Sequence, residues 1–251
     1  MSKTTLYDWL AADDFGLTMS SGFFAFFAHC GVLNALLDAG LKPSRCSGSS
    51  AGALTTGLWA AGVPAQGMRD RLFELTREDF WDPRPGLGVL RGRKFRAVLD
   101  DMLPVKKMED CPTPLALSVY NAFRHRTEVL ENGDLASAIQ ASCTVPIMFH
   151  PVWIGHKPYL DGGILDRPGL DGMPSESRVL YHHIVSKSAW RTKQGAHTVI
   201  PKRDKLQALA IHGLPKLGPF KMELGQKAYA YAYEKMQRAL ETELEGPELH
   251  V

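Results

Sequence analysis

Ser50 has the flanking residues of a serine nucleophile. It is the central residue of Gly48-Ser49-Ser50-Ala51-Gly52, the only Gly-x-Ser-x-Gly pattern in the 251 residues. The residues before the pattern are typical of a short strand, and Ala53–Ala61 after it are typical of a helix. Glycines on both sides of the serine permit a tight turn, which exposes the hydroxyl at the start of the helix. The pattern predicts nucleophilic attack by Ser50, whereas the simpler interpretation is a serine that caps a helix.

Asp161 is the predicted base for this serine. It follows a predicted strand and precedes Gly162 and Gly163, and two glycines after a strand allow another part of the backbone to approach closely. An aspartate that accepts a proton directly from a serine needs shielding from water, which raises its pKa toward the working pH. The apolar stretches at 152–154 and 159–160 could provide that shielding.

Two arrangements of the base stay open. In a Ser–Asp–His triad, Asp161 would orient a histidine that follows it in the chain. The candidate histidines are His182, His183, His197 and His212. In a Ser–Asp dyad, Asp161 itself takes the proton. The early position of Ser50, after one strand–helix unit, and the lack of a distinctive loop around the late histidines favour the dyad.

Strands and helices alternate along the chain, which predicts an α/β fold with a largely parallel sheet. Phe23–Ala39 is apolar on every side, as expected of a helix buried within the fold. Asp134 is suited to cap a helix over 135–142, and an apolar stripe predicts a C-terminal helix at about 221–244. Strands are predicted at 15–19, 115–120, 126–130 and 178–185. We expect a single domain over residues 1–251.

Composition and charge narrow the classes of partner. Lys and Arg total 29, Asp and Glu total 27, and the net charge of +2 argues against nucleic acid as a partner. Four cysteines without a Cys-x-x-Cys pattern predict reduced thiols and a cytoplasmic location. We expect neither a signal peptide nor a transmembrane helix, because no segment has the required apolar run.

Three basic stretches are candidates for peripheral contact with a membrane. They are Arg91–Arg96, Lys187–Lys193 and Lys202–Lys205. Cations beside an aromatic residue such as Phe95 or Trp190 suit binding to lipid phosphates, whereas the simpler interpretation is a solvated surface.

The chain resembles the patatin-like phospholipase family in four ordered blocks, which together span residues 17–168. The blocks are a glycine-bearing turn with an apolar helix ending in His29-Cys30-Gly31-Val32-Leu33, then Gly48–Ala53, Ala138–Pro146 and Asp161–Gly163. The resemblance implies a three-layer α/β/α fold, a dyad of Ser50 and Asp161 without a histidine, and hydrolysis of acyl esters in lipids. This chemistry requires no metal and no cofactor.

The predicted oxyanion site departs from the family pattern. Members of that family usually carry a Gly-x-Gly-x-x-Gly loop before the first helix, where this chain has Ser20-Ser21-Gly22-Phe23-Phe24-Ala25-Phe26. The family's glycines align without gaps to Ser21, Phe23 and Phe26, or with one inserted residue to Ser20, Gly22 and Ala25. Both registers assign the oxyanion position to the N–H groups of Gly22 and Phe23. A bulky residue there predicts weakened oxyanion stabilisation, and the simpler interpretation is a strand-to-helix turn.

The residues and the resemblance together predict a lipid acyl hydrolase, whose substrate is a lipid or another acyl ester. Two alternatives stay open. One is an acyltransferase or thioesterase that uses the same dyad, and the other is a non-catalytic lipid-binding protein that has lost its oxyanion site. The phenylalanines at 23, 24, 26 and 27 could line an acyl pocket, although packing in the core is the favoured interpretation for most of them.

Overall fold

The computed structural model describes residues 4–185 and 200–251, which contain one large sheet and one small sheet. The strands are, in chain order, β1 (Gly16–Met19), β2 (Arg45–Ser49), β3 (Gly88–Leu90), β4 (Leu115–Asn121), β5 (Arg126–Leu130), β6 (Ile147–Phe149), β7 (Val152–Ile154), β8 (Lys157–Asp161), β9 (Val179–Ile184), β10 (Leu206–Ile211) and β11 (Glu248–His250). The basic stretch Lys187–Lys193 and the candidate His197 lie outside the described residues.

The large sheet is mostly parallel. Its order is β11-β10-β9-β1-β2-β4-β8-β7, with β5 also paired to β4, while β3 and β6 pair separately. The pairings from β11 to β4 are parallel, whereas β5, β7 and β8 join in antiparallel pairs. The α/β class and the largely parallel sheet are therefore confirmed. The sequence patterns did not predict β10, because all its residues are buried and a strand of that kind shows no polar–apolar alternation.

Helices cover one face of this sheet. They are α1 (Leu6–Ala11), α2 (Phe26–Asp38), α3 (Ala51–Ala60), α4 (Ala65–Glu74), α5 (Arg93–Met102), α6 (Leu135–Ser142) and α7 (Gly225–Leu240). Their buried side chains form one cluster with alternate strand residues such as Leu17 and Leu180. On the opposite face, Val179 and Tyr181 pack with Met173. Before Met173, the chain forms two short 3-10 helices, Gly162–Ile164 and Leu170–Gly172.

Two helices begin later than predicted. The buried helix begins at Phe26 instead of Phe23, because the N–H of Ala25 donates to the carbonyl of Gly22 and closes a turn in which Phe24 has φ 55°. The C-terminal helix spans Gly225–Leu240 instead of about 221–244, and a 3-10 helix precedes it. The two helices pack against each other closely, since a Cβ at Gly31 would overlap the carbonyl of Tyr229.

One edge of β4 is shared by two strands that meet end to end. Residues 115–118 of β4 pair with β2, which runs parallel, and the register aligns Ser49 with Ser118. Residues 119–121 pair with β8, which runs antiparallel, and the register aligns Asp161 with Val119. The last residues of β2 and β8 therefore lie at adjacent positions along β4. This topology brings together residues that are far apart in the sequence.

Candidate active site

The turn between β2 and α3 holds Ser50 in a strained backbone conformation. Ser50 has φ 54° and ψ −121°, which residues other than glycine rarely adopt and which typically costs about 1–3 kcal/mol. Its side chain makes no capping hydrogen bond to α3. The turn therefore has the geometry of a nucleophile elbow, and the simple capping interpretation of Ser50 is wrong.

The two glycines of this turn have no room for a side chain. A Cβ at Gly52 would overlap the carbonyl oxygen of Met19 in β1, and a Cβ at Gly48 would lie 2.6 Å from the carbonyl carbon of Gly52. Glycine at these positions lets α3 begin directly against the strands β1 and β2.

Ser50 and Asp161 lie within hydrogen-bond distance of each other. Ser50 Oγ donates to Asp161 Oδ2 at 2.7 Å, and both residues are buried. The other carboxylate oxygen, Oδ1, accepts from the N–H of Gly163 at 2.8 Å. The close backbone approach expected of the two glycines is present, since a Cβ at Gly162 would overlap the carbonyl oxygen of Ser118. The aspartate is thus oriented so that one oxygen faces the serine hydroxyl.

Residues 142–144, at the end of α6, hold the backbone around both Ser50 and Asp161. Ser142 Oγ accepts from the N–H of Ser50 at 2.9 Å and donates to a carbonyl of β4. The thiol of Cys143 lies 3.1 Å from the carbonyl oxygen of Ser50, to which it donates. The carbonyl of Thr144 accepts from the N–H of Asp161 at 2.8 Å. The sequence did not assign roles to these residues, although they lie in the third block of the family resemblance.

The predicted oxyanion residues belong to the turn that precedes α2. Gly22, Phe23 and Phe24 precede α2 and line the same cavity as Ser50. Within residues 4–185 and 200–251, none of their N–H groups has a hydrogen-bond acceptor. The positive φ of this turn belongs to Phe24 and not to Phe23. Phe23 therefore does not have to adopt left-handed backbone angles, which a bulky side chain resists, whereas Phe24 beside it does adopt them.

Two buried histidines, His29 and His182, hold the residues that precede this turn. His29 in α2 donates from Nε2 to the carbonyl of Ser20 at 2.9 Å, because a carbonyl can only accept. Its Nδ1 then accepts from Nδ1 of His182 at 2.8 Å. Ser20 also accepts at Oγ from the N–H of Ile184. These bonds fix the end of β1, two residues before the predicted oxyanion position.

The histidines proposed for a triad take part in other hydrogen bonds. Among the described residues, His182 pairs with His29, His183 with the hydroxyl of Tyr181, and His212 with His250. The geometry around Ser50 therefore favours the dyad over the triad.

Burial of three histidines predicts a loss of stability in acid. Burial lowers the pKa of His29 to about 3 and that of His183 to about 4, and it also lowers the pKa of His182. Below about pH 6.5 the unfolded chain binds protons that the folded chain does not, so the free energy of unfolding falls by about 1.4 kcal/mol per pH unit for each such histidine. Urea denaturation between pH 7.5 and 4.5 measures this slope.

In His29→Gln, the free energy of unfolding is expected to fall less steeply with decreasing pH, by about 1.4 kcal/mol per pH unit, which is the contribution of one histidine. His156→Gln is the matched control. Glutamine retains a donor for the carbonyl of Ser20, whereas His156 is exposed in the turn between β7 and β8. An unchanged slope in His29→Gln, or the same reduction in His156→Gln, would contradict a buried neutral His29.

An apolar cavity opens beside Ser50. Its volume is about 380 Å³, and its walls come from α2, α3, α5, β3, β6 and the loops around them. Phe23, Phe24 and Phe26 all line it. Phe26 also belongs to the core and Phe24 packs against it, as the favoured interpretation expects, whereas Phe23 is exposed. Phe27 lies in the core and does not line the cavity. The centroid of its ring lies 6.4 Å from that of Phe73. The cavity has the size and polarity to receive an apolar chain attached to a group at Ser50.

The four cysteines and two of the basic stretches lie within the described residues. All four cysteines are free thiols. Arg93 and Lys94 form a solvated helix start, where Asp82 accepts from their N–H groups. None of the helices in the described part of the chain is long and apolar enough to cross a membrane. No group of three or more metal-binding side chains is present in that same part.

The fold and this site define an α/β protein with a serine on a nucleophile elbow after β2 and an aspartate at the end of β8. A family model described as patatin-like phospholipase matches residues 17–173, which is more than half of the chain. The chain belongs to the patatin-like phospholipase family.

Similar proteins are found in bacteria and fungi. An uncharacterized NTE family protein of Mycobacterium tuberculosis is 29% identical over 153 residues, covering 60% of this chain and 42% of that protein. Lysophospholipase nte1 of Emericella nidulans is 26% identical over 159 residues, covering 60% of this chain and 10% of that protein. The structure of VipD from Legionella pneumophila superposes on this chain with a TM-score of 0.55 and 14% identity. The match covers 91% of this chain and 67% of the VipD chain, and it supports the fold.

Proposed function

We propose that this protein hydrolyses acyl esters of lipids, with Ser50 as the nucleophile and Asp161 as the general base. The observation that carries the proposal is the 2.7 Å hydrogen bond between the two side chains beside an apolar cavity. Membership of the patatin-like phospholipase family supports a lipid substrate, and so does the name of the fungal relative, a lysophospholipase.

The proposed reaction proceeds through an acyl-enzyme. Asp161 Oδ2 takes the proton from Ser50 Oγ as that oxygen attacks the ester carbonyl carbon. The N–H groups of Gly22 and Phe23 stabilise the negative charge on the carbonyl oxygen. The tetrahedral intermediate collapses when the alcohol leaves with the proton from Asp161. Water then attacks the acyl carbon, gives its proton to Asp161, and releases the fatty acid as the proton returns to Ser50.

A substrate panel tests this function and its alternatives. Purified protein is given phospholipid, lysophospholipid, triacylglycerol and acyl-CoA with the same acyl chain, with and without an acceptor alcohol. Release of fatty acid from a glycerolipid supports a lipid hydrolase. Preferential cleavage of acyl-CoA, or transfer of the acyl group to the alcohol, supports a thioesterase or an acyltransferase. No turnover, together with no labelling of Ser50 by a fluorophosphonate, supports a non-catalytic lipid-binding protein.

We also propose that the cavity mouth contacts a lipid surface. Five apolar residues line the cavity and are nevertheless exposed: Phe23, Trp81, Val89, Ile147 and Phe220. Ile147 is 64% exposed and has φ 68°, a strained conformation for a β-branched residue. Exposed apolar side chains around the entrance of a cavity are typical of a surface that meets a partner or a membrane.

Removing two of these side chains is expected to weaken binding to phosphatidylcholine vesicles. Each large apolar side chain contributes about 1.5–3 kcal/mol when it leaves water, so Ile147→Ser with Phe220→Ser is expected to lower vesicle affinity at least about 10-fold in a flotation assay. Tyr7→Ser is the control, because Tyr7 is 43% exposed on α1 and does not line the cavity. Equal losses in both proteins would contradict a specific role for the mouth.

A further inference from the structure

Arg77 is the one charged side chain among the described residues that line the cavity. It begins a 3-10 helix that follows α4. Its guanidinium carbon lies 5.4 Å from the centroid of the Trp81 ring and 5.2 Å from that of the Phe220 ring. Stacking on two rings from separate parts of the chain holds this planar cation in place. A fixed positive charge at the edge of an apolar cavity suits a ligand with an anionic group next to an apolar chain.

Part of this guanidinium is free to bind a ligand. Nη2 lies 3.2 Å from the carboxylate of Glu78, which is the next residue and is mostly exposed, so this ion pair contributes little. Within residues 4–185 and 200–251, Nε and Nη1 have no acceptor. Phosphate oxygens match the forked N–H groups of a guanidinium, and the apolar surroundings strengthen that attraction relative to open water.

We propose that Arg77 binds the phosphate of a phospholipid headgroup while the acyl chain of the same molecule occupies the cavity. The inference deepens the proposed function and rests on it for the orientation of the ester toward Ser50. It makes Arg77 a specificity-determining residue, which favours glycerophospholipids and lysophospholipids over neutral glycerides. It assigns no step of bond cleavage to Arg77.

A binding experiment tests the subsite without turnover. Ser50→Ala protein is titrated by calorimetry with dodecylphosphocholine and with dodecyl maltoside, both below their micelle concentrations. These two probes share the alkyl chain, and only the first carries a phosphate. Adding Arg77→Met is expected to weaken binding of dodecylphosphocholine about 10- to 100-fold and to leave dodecyl maltoside unchanged. Methionine retains apolar contact with the two rings, and Arg77→Lys is expected to recover part of the affinity because it keeps the charge.

Arg71→Met is the matched control for loss of one positive charge. Arg71 lies on α4, is 32% exposed against 39% for Arg77, forms surface ion pairs, and does not line the cavity. Equal weakening by Arg71→Met would assign the effect to net charge and overturn the proposal. Equal weakening of both probes by Arg77→Met would overturn it as well, because the side chain would then act only through packing. Inorganic phosphate is added as a competitor, and strong competition would overturn the requirement for a lipid-linked phosphate.

A hydrolysis experiment separates this inference from the proposed function. Lysophosphatidylcholine and monoacylglycerol with the same acyl chain are compared in proteins that retain Ser50. Arg77→Met is expected to lower kcat/KM about 10- to 100-fold for the phospholipid alone. If the parent protein hydrolyses neither ester, the proposed function fails while the calorimetry still decides the subsite. If the parent protein hydrolyses both esters and Arg77→Met lowers kcat/KM equally for both, the subsite fails and the proposed function stands.

Discussion

Ser50→Ala is expected to lower ester hydrolysis by about 10⁴-fold or more, and Asp161→Asn by a similar factor. The serine supplies the attacking oxygen, and the aspartate is positioned to accept its proton at 2.7 Å. Removing either member of a nucleophile–base pair leaves only binding and oxyanion stabilisation to accelerate the reaction. The measurement is the initial rate on a short-chain p-nitrophenyl ester and on the lipid that the parent protein hydrolyses best.

The combined variant gives a sharper form of the same prediction. Because the two residues act as one unit, Ser50→Ala with Asp161→Asn is expected to be no slower than Ser50→Ala alone. If the combined variant instead loses activity by the product of the two separate factors, the two residues act independently, and this would contradict a dyad. A fluorophosphonate is expected to label Ser50 in the parent protein and to label it much more slowly in Asp161→Asn.

Neighbouring residues of the same type provide the controls for these variants. Ser49 precedes Ser50, and its buried Oγ has no hydrogen-bond partner among the described residues, so Ser49→Ala is expected to change the rate less than about 3-fold. Asp171 is an exposed aspartate in the segment after β8, and Asp171→Asn is expected to change the rate equally little. A rate within 10-fold of the parent in Ser50→Ala would exclude Ser50 as the nucleophile.

Gly52→Ala is expected to destabilise the fold by about 3 kcal/mol or more and to abolish most of the activity. The added Cβ would overlap the carbonyl oxygen of Met19, which is backbone of a central strand and cannot rotate away. Relief requires movement of the start of α3 away from β1, and Ser50 would move with it. Urea denaturation measures the loss of stability, and ester hydrolysis measures the displacement of the serine.

Gly67→Ala is the matched control for this substitution. Gly67 lies within α4, where a new Cβ would have its nearest contact at 4.0 Å, in ordinary van der Waals range. Alanine is favoured over glycine inside a helix by about 0.5–1 kcal/mol, so this variant is expected to be slightly more stable than the parent. A small effect of Gly52→Ala, comparable in size to that of Gly67→Ala, would contradict the close contact between α3 and β1.

The region around the predicted oxyanion site differs most from what the sequence suggests. The glycine-poor stretch at 20–26 predicted a weakened site because a bulky residue adopts the required backbone angles less readily. The structure places that backbone conformation on Phe24, one residue after the predicted position, and anchors the turn through Ser20 to His29. Side chains that the sequence suggested as core also line the cavity. Local composition did not reveal either feature, because the anchor depends on a contact between α2 and β9 and the cavity depends on residues from distant segments.

The chemistry of Ser50 and Asp161 could be predicted from the sequence because it depends on short local patterns. A glycine two residues before and two residues after a serine indicates a tight turn, and two glycines after an aspartate indicate close packing, whichever fold surrounds them. Helix and strand periodicities were likewise local enough to predict α6 and the pair β4–β5, and the resemblance to a known family added their order.

Only the tertiary structure brought the two patterns into one site. Ser50 and Asp161 are 111 residues apart, and their contact depends on β2 and β8 meeting end to end along one edge of β4. The cavity and the stacked Arg77 depend in the same way on loops contributed by distant segments. Such contacts arise from the pairing of strands and the packing of helices, which local residue types do not specify. The sequence therefore determined which side chains are able to react, and the arrangement of the sheet decided which of them meet and what kind of ligand can reach them.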